Sequence, residues 1–162
     1  MKKRGFALVV SFLLLLVVFV LGLGFLGKRI ALYKEALSAR ASSQARAAAL
    51  AGMEDVRVKL EKDQSFPPPG SYQQQLFNYS EPLLSVAGSE VGGYHVTVDK
   101  RLQQLPYALI RVTSVGWSGP ADNPAATRKI YAELDISPVE RGTTDPNPNL
   151  FRWINWLDGA TY

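Results

Sequence analysis

The sequence predicts an α+β fold, in which one long N-terminal helix packs against a small antiparallel sheet of three or four strands. Two observations predict it. No proline occurs before Pro67, and the preceding chain is rich in helix-forming residues. Within residues 94–137, apolar and polar side chains alternate, as they do in strands that bury one face. The 162 residues include no cysteine, so the core alone must stabilise the fold.

The helix begins with an uninterrupted apolar run. Phe6 to Gly27 is 22 residues without a charge, and Ser11 has its only hydrogen-bonding side chain. A helix of this length covers about 33 Å, enough to cross a hydrocarbon core of ~30 Å. Because the backbone must satisfy its own hydrogen bonds in lipid, we expect residues 6–27 to form a membrane-spanning helix.

A short basic leader precedes this run. Lys2, Lys3 and Arg4 are followed by Gly5, and Phe6 opens the apolar segment. This arrangement suits a plain single-pass anchor. It also suits a signal that is cut between Gly5 and Phe6 and leaves the apolar segment on the mature chain.

A cleaved secretory signal is a third interpretation. Its apolar region is ordinarily about 7–15 residues long and ends at a site of the small-x-small type. Gly22-Leu23-Gly24 fits that site loosely, but the apolar run is longer than such signals require.

The segment Lys2–Phe6 resembles the N-terminus of type IV pilins and of type II secretion pseudopilins. The resemblance implies that residues 1–5 are a leader removed by a prepilin peptidase, with Gly5 its last residue and Phe6 the N-methylated first residue of the mature chain. It also implies insertion in the inner membrane, then incorporation by an assembly platform into a filament of pilins that pack through residues 6–27.

One position departs from the pattern of the family. Most major pilins have a glutamate five residues into the mature chain, where this sequence has Val10. The motif RGFALVV is similar to PilX-type minor pilins and to K-type minor pseudopilins, which share the departure. The resemblance implies a priming, tip or assembly-promoting subunit.

The charge is unevenly distributed. Residues 1–63 contain 11 Lys/Arg and 5 Asp/Glu, a net charge of +6, whereas residues 64–162 contain 7 and 9, a net charge of −2. The basic leader favours a cytoplasmic N-terminus with the domain outside, although Lys28 and Arg29 weigh weakly against it. We expect no broad nucleic-acid surface on the outer region.

Residues 28–63 read as an amphipathic continuation of the helix, with apolar residues at spacings of mostly three and four. These residues are Ile30, Tyr33, Ala36, Leu37, Ala45, Ala48, Ala49, Leu50, Met53, Val56 and Leu60. A membrane helix joined to a separate soluble helix is the alternative, with the break at Gly22, Gly24 or Gly27. Residues 44–60 also resemble the corresponding helix of PilX-type proteins.

Residues 64–162 form the outer region. Residues 64–92 read as an irregular connection with a turn of helix near Tyr72–Phe77. Strands are predicted at Tyr94–Asp99, Tyr107–Val115 and Thr127–Ser137, paired antiparallel. Their apolar face should cover the amphipathic half of the helix.

The tail, residues 142–162, is rich in aromatic residues. Asn149 can cap a short helix, Leu150–Leu157, that contains Phe151, Trp153 and Trp156. These three side chains either pack on the sheet as a lid or form an exposed patch for a partner.

We find no pattern that indicates catalysis. His95 stands alone on the polar face of a strand, and no nucleophile–base grouping or Gly-rich phosphate loop occurs. Asp145, Asn147 and Asn149 are spaced like the start of a calcium loop, but Leu150 stands where its glycine should be. We therefore expect no enzyme activity, no cofactor and no metal.

These observations favour a minor pilin or pseudopilin of a type IV pilus or related filament. A tip pseudopilin of a type II secretion system is the alternative within the class. A single-pass membrane-anchored binding domain is the alternative outside it.

Overall fold

The computed structural model describes residues 3–64, 66 and 75–160. Helix α1 spans Lys3–Lys62 and is followed by five strands: β1 (Leu76–Leu84), β2 (Glu90–Asp99), β3 (Leu109–Ser118), β4 (Ala126–Asp135) and β5 (Trp153–Ala160). The strands form one antiparallel sheet in the order β1-β2-β3-β4-β5. The predicted α+β fold is confirmed, with five strands rather than three or four.

The chain divides into two compact units, Met1–Ala39 and Arg40–Tyr162. In the first unit the backbone is helical through Gly22, Gly24 and Gly27, where the sequence allowed a break. The large apolar side chains from Leu8 to Leu37 are exposed, including Ile30, Tyr33 and Leu37, which were expected to lie beneath the sheet.

The core of the second unit lies between α1 and the inner face of the sheet. From Ala45 to Leu60 the helix buries one stripe of side chains against the sheet, as its spacing predicts. The fully buried residues on the helix are Ala45, Ala49, Met53, Val56 and Leu60. Lys59 and Lys62 in the last turn are favourably placed against the helix dipole.

The alternation read from the sequence is confirmed in β2, β3 and β4. Val96 and Val98 of β2 and Ile110 and Val112 of β3 face the core and are completely buried. The core residues of β4 are Ile130, Ala132 and Leu134. Each strand therefore contributes every second side chain to one face.

Strand β1 was not predicted. Residues 64–92 were expected to be irregular, but Leu76–Leu84 pairs with β2 over nine residues. Pro82 lies within this strand, which is tolerated because β1 is at the edge of the sheet. Pro67, the first proline of the chain, and residues 72–74, the first part of the expected turn, lie outside the described residues.

The predicted tail helix, Leu150–Leu157, is wrong. Residues 149–151 form a turn, in which Arg152 N–H donates to the carbonyl of Asn149 at 2.9 Å, and β5 follows. β5 pairs with β4, and the register of this pairing shifts between Tyr131 and Glu133. Pairing to an existing sheet satisfies the backbone donors of this segment and places Trp153 against the core.

Candidate functional site

The first candidate surface is the apolar segment of α1 in the first unit. Among the described residues, α1 is the one helix long and apolar enough to cross a membrane, with a window of mean hydropathy 3.0 that is not buried. Phe6, the predicted first mature residue, is 73% exposed, and Val10 is also exposed. Arg29 lies over the ring of Phe25 at 4.8 Å, where the apolar run ends.

The predicted processing site lies inside the helix. The backbone is already helical at Lys3, so the peptide bond between Gly5 and Phe6 is within α1. A protease that binds an extended substrate must therefore unwind this end first. A glycine lowers the cost of unwinding, because it is about 1 kcal/mol less favourable than alanine in a helix. Lys2 lies outside the described residues.

The helix and the sheet approach most closely at glycines. A Cβ atom at Gly116 would overlap the backbone of α1 at Ala45 and Ala49. One at Gly52 would lie 2.5 Å from the Oγ of Ser114 and 2.8 Å from the ring of Tyr94. These small residues allow the helix backbone to rest on β3.

A polar network borders α1 on the β1 side. The Nζ of Lys59 donates to Asp55 at 2.6 Å and to Glu81 at 2.7 Å. The hydroxyl of Tyr79 donates to Asp55 and that of Tyr94 to Glu81, each at 2.8 Å. The network joins the helix to β1 and β2.

The network shifts the ionisation of its members. Burial acts to lower the pKa of Lys59, but its hydrogen bonds with Asp55 and Glu81 outweigh this effect and raise it. The pKa values of Tyr79 and Tyr94 are raised far above the usual range, first by burial and then by hydrogen bonds to the carboxylates. The cluster therefore holds a protonated lysine and two neutral phenols.

A second polar cluster lies on the outer face of the sheet around Glu133. Asn155 donates to this carboxylate at 2.6 Å, Tyr131 at 2.8 Å and Arg111 at 3.1 Å. The hydrogen bond from Asn155 is the largest cause that holds the pKa of Glu133 below its usual value. The pKa of Asp99 is lowered likewise, above all by its hydrogen bond with Arg101.

The three aromatic residues of the tail have different environments. Phe151 and Trp153 are partly buried and pack against the core, and the indole Nε1 of Trp153 donates to Glu54 of α1 at 3.3 Å. Trp156 meets Trp153 edge to face at 6.4 Å and is 41% exposed. Leu157, on the outer face, is 66% exposed.

An apolar groove lies on the β1 flank of α1, across the helix from the aromatic tail. Its volume is about 240 Å³, and it opens between the helix and the adjacent ends of β1 and β2. Gln44, Ala47 and Ala48 form the helix side, and Leu83 and Gly92 lie on the sheet side. The sequence did not indicate this groove, because its walls come from segments far apart in the chain.

The remaining polar residues of interest are engaged in local structure. His95 Nδ1 is 2.7 Å from the Oγ of Ser80 on the neighbouring strand. Asn147 accepts a hydrogen bond from the backbone of Asn149 and donates one to the carbonyl of Ser137. Across the described residues, no group of three or more His, Cys, Asp or Glu is placed to hold a metal ion.

Comparison of the chain with protein-family models, with curated proteins and with solved structures finds no match.

Proposed function

We propose that the protein is a minor pilin or pseudopilin, a filament subunit that is inserted in the inner membrane with its N-terminus in the cytoplasm. One observation carries the proposal. Helix α1 contains both the exposed apolar segment and, in the second unit, the stripe of side chains that the sheet covers. An apolar helix without protein contacts needs lipid or other apolar helices around it. The membrane would supply the lipid before assembly, and a filament core would supply the other apolar helices afterwards.

The leader supports the same proposal. Gly5 and Phe6 follow Lys3 and Arg4 at the start of α1, which is the arrangement that resembles a prepilin. A prepilin peptidase would cut after Gly5, and Phe6 would be methylated. An assembly platform and other pilins or pseudopilins are then the partners.

The decisive measurement is the mass of the N-terminal peptide of the protein recovered from membranes. A peptide that begins at Phe6 and carries one additional methyl group is the expected result. A peptide that begins at Met1 contradicts the proposal and leaves the membrane-anchored binding domain as the function. A start after Gly24 indicates secretory cleavage.

A substitution at Gly5 tests the same step genetically. Gly5→Val should leave the leader attached, because valine is less unfavourable than glycine in a helix and its branched side chain crowds the bond to be cut. Gly27→Val is the matched control, since a Cβ at Gly27 meets nothing within 4 Å. Equal processing of the two variants would contradict the proposal.

The role within the filament follows from Val10. A carboxylate in an apolar helix bundle is costly unless it is paired, and a subunit that lacks it needs no such partner. We therefore propose a priming or tip position, which a type IV pilus and a type II secretion system would share. Labelled copies should be found at filament ends, and an even distribution along the shaft would contradict this role.

A further inference from the structure

We propose that Phe25, Arg29 and Tyr33 form a binding site for the headgroup phosphate of an anionic phospholipid in the non-cytoplasmic leaflet. The inference rests on the membrane insertion that is part of the proposed function, and it concerns the inserted chain before assembly. All three residues lie within the first unit, on the helix that is long and apolar enough to cross a membrane.

The three residues form a stripe along one face of α1. They are four residues apart, so each side chain lies about one turn beyond the previous one. The guanidinium of Arg29 lies over the ring of Phe25 at 4.8 Å, and Phe25 and Tyr33 are 59% and 67% exposed. A contact with the face of a ring uses none of the five N–H donors of a guanidinium, so these donors can bind a phosphate.

The charge of this stripe is not balanced within the first unit. The sequence of this unit contains one acidic residue, Glu35, which is six residues from Arg29 and on another face of the helix. Lys28 adds a second positive charge beside Arg29. A phosphate suits this guanidinium because it can accept two parallel N–H donors. The stripe is therefore complementary in charge to an anion from outside the chain.

The position of Arg29 along the helix matches the level of lipid phosphates. The apolar run of 22 residues ends at Gly27, so Arg29 follows it by about 3 Å of helix. The headgroup layer is roughly 5–7 Å thick on each side of the hydrocarbon core. Helical side chains lean towards the helix N-terminus, which here is back towards the membrane, so Tyr33 also reaches this layer.

An anionic lipid fits the site better than a zwitterionic lipid. Both have a phosphate, but the headgroup of a zwitterionic lipid also has a cation, which competes with Arg29 and Lys28 for it. Each basic residue near an anionic membrane surface favours binding by a factor of about five. The site should therefore prefer phosphatidylglycerol to phosphatidylcholine by about fivefold or more.

Site-specific quenching in vesicles tests this preference. The chain contains no cysteine, so Leu26→Cys gives one attachment point for a fluorophore. Position 26 precedes Arg29 by three residues on a neighbouring face, where the acyl chains of a lipid bound at Arg29 would lie. The full-length protein is reconstituted in phosphatidylcholine vesicles with phosphatidylglycerol that is spin-labelled near the top of an acyl chain. Half-quenching should need about fivefold less of this lipid than of phosphatidylcholine with the same label.

Gly27→Cys is the matched control for the position of the fluorophore. Gly27 lies at nearly the same depth as Leu26, but it is two residues from Arg29 and so faces away from the site. A Cβ at Gly27 meets nothing within 4 Å, so the substitution fits the helix. The two labelled lipids should quench a fluorophore at this position equally.

Two charge variants in the Leu26→Cys protein separate a site from diffuse attraction. Arg29→Gln should abolish the preference for phosphatidylglycerol. Lys34→Gln removes the same charge from another face of the helix and should leave most of the preference. Equal quenching by the two lipids at position 26, an equal preference at position 27, or equal losses in the two charge variants would overturn the site.

These outcomes are independent of the processing experiment. A chain that begins at methylated Phe6 but shows no lipid preference at position 26 keeps the filament role and loses the site. A chain that begins at Met1 and prefers phosphatidylglycerol at position 26 loses the filament role and keeps the site, as part of a membrane anchor.

Discussion

Gly116 of β3 lies directly against the backbone of α1 at Ala45, with no room between them for a single methyl group. The helix can therefore approach the sheet as closely as two backbones allow. This contact sets the depth at which Met53, Val56 and Leu60 enter the core further along the helix.

Gly116→Ala should destabilise the second unit by about 1–3 kcal/mol, because the new Cβ meets backbone atoms that cannot move without shifting the helix. The measurement is the urea midpoint of the full-length protein in detergent, followed by tryptophan fluorescence. Gly159→Ala is the control, since a Cβ at Gly159 meets nothing within 4 Å. A loss no larger than that of the control would contradict the close contact.

Ser114 offers a stabilising substitution. Its hydroxyl is completely buried on the helix side of β3 and has no hydrogen-bonding partner among the described residues. Ser114→Ala should leave the free energy of unfolding unchanged or raise it by up to about 1 kcal/mol. Ser80→Ala is the comparison, because it removes a hydroxyl that does have a partner, His95.

Gly52 and Ser114 should be energetically coupled. Gly52→Ala places a Cβ 2.5 Å from the Oγ of Ser114, so the single variant should lose about 1–3 kcal/mol. Ser114→Ala removes that oxygen and should restore part of the loss, although the contact with Tyr94 stays. A double-mutant cycle measures the coupling, and simple additivity would show that the two side chains do not meet.

Stability should fall in alkaline solution. The pKa values of Lys59, Tyr79 and Tyr94 are all raised in the folded protein. A raised folded pKa gives stability that is fully present below the unfolded value, near pH 10, and is lost as pH rises towards the folded value. The free energy of unfolding should therefore drop above about pH 10.

Tyr79→Phe should weaken this alkaline dependence, because it removes one titrating group and the hydrogen bond to Asp55. Urea unfolding at pH 8 and at pH 10.5 measures the slope. Tyr107→Phe is the control, since Tyr107 is exposed. Equal slopes in the two variants would show that Tyr79 does not contribute to the alkaline loss of stability.

Asn155→Asp should place two carboxylates at the Glu133 cluster. The wild-type amide donates to Glu133 at 2.6 Å, and it lowers the pKa of that group. Because the pKa of Glu133 is lower in the folded protein than in the unfolded chain, its ionisation stabilises the wild type above about pH 4.5. This stabilisation is lost as pH falls through the folded pKa. The variant should lose about 1–3 kcal/mol at pH 7 through repulsion and recover towards the wild type near pH 3.

The control for this change is Asn123→Asp, an exposed loop position. It adds the same charge away from Glu133, in an exposed loop where water screens the adjacent Asp122, and it should be nearly neutral at both pH values. A variant at position 155 that is as stable as this control would contradict the hydrogen bond to Glu133.

The sequence predicted those parts of the fold in which one periodicity dominates. The alternation of Val96, Val98, Ile110 and Val112 identified the buried face, because a period of two is unambiguous in a half-buried strand. Strand β1 could not be predicted in this way, because Pro82 and a run of turn-forming residues outweigh its strand signal. Only pairing with β2 makes that segment a strand.

The prediction of a helix in the aromatic tail failed for a different reason. Asn149 and the spacing of Trp153, Ile154 and Leu157 suit a capped helix, yet these residues form the turn and the edge strand that pairs with β4. Contacts such as Arg46 with Asp158 join residues 112 positions apart. Such pairs depend on the completed topology, so local pattern could not predict them or the groove.

The seam between α1 and the sheet also has a mechanical consequence. The second unit begins at Arg40, and the buried side chains of α1 from Ala45 to Leu60 share one face of the helix. Tension applied along the helix axis therefore loads these contacts in parallel, in shear, instead of peeling them apart one by one. Under tension, α1 should therefore separate from the sheet in one step. The rate of that step should follow the unfolding rate of the second unit.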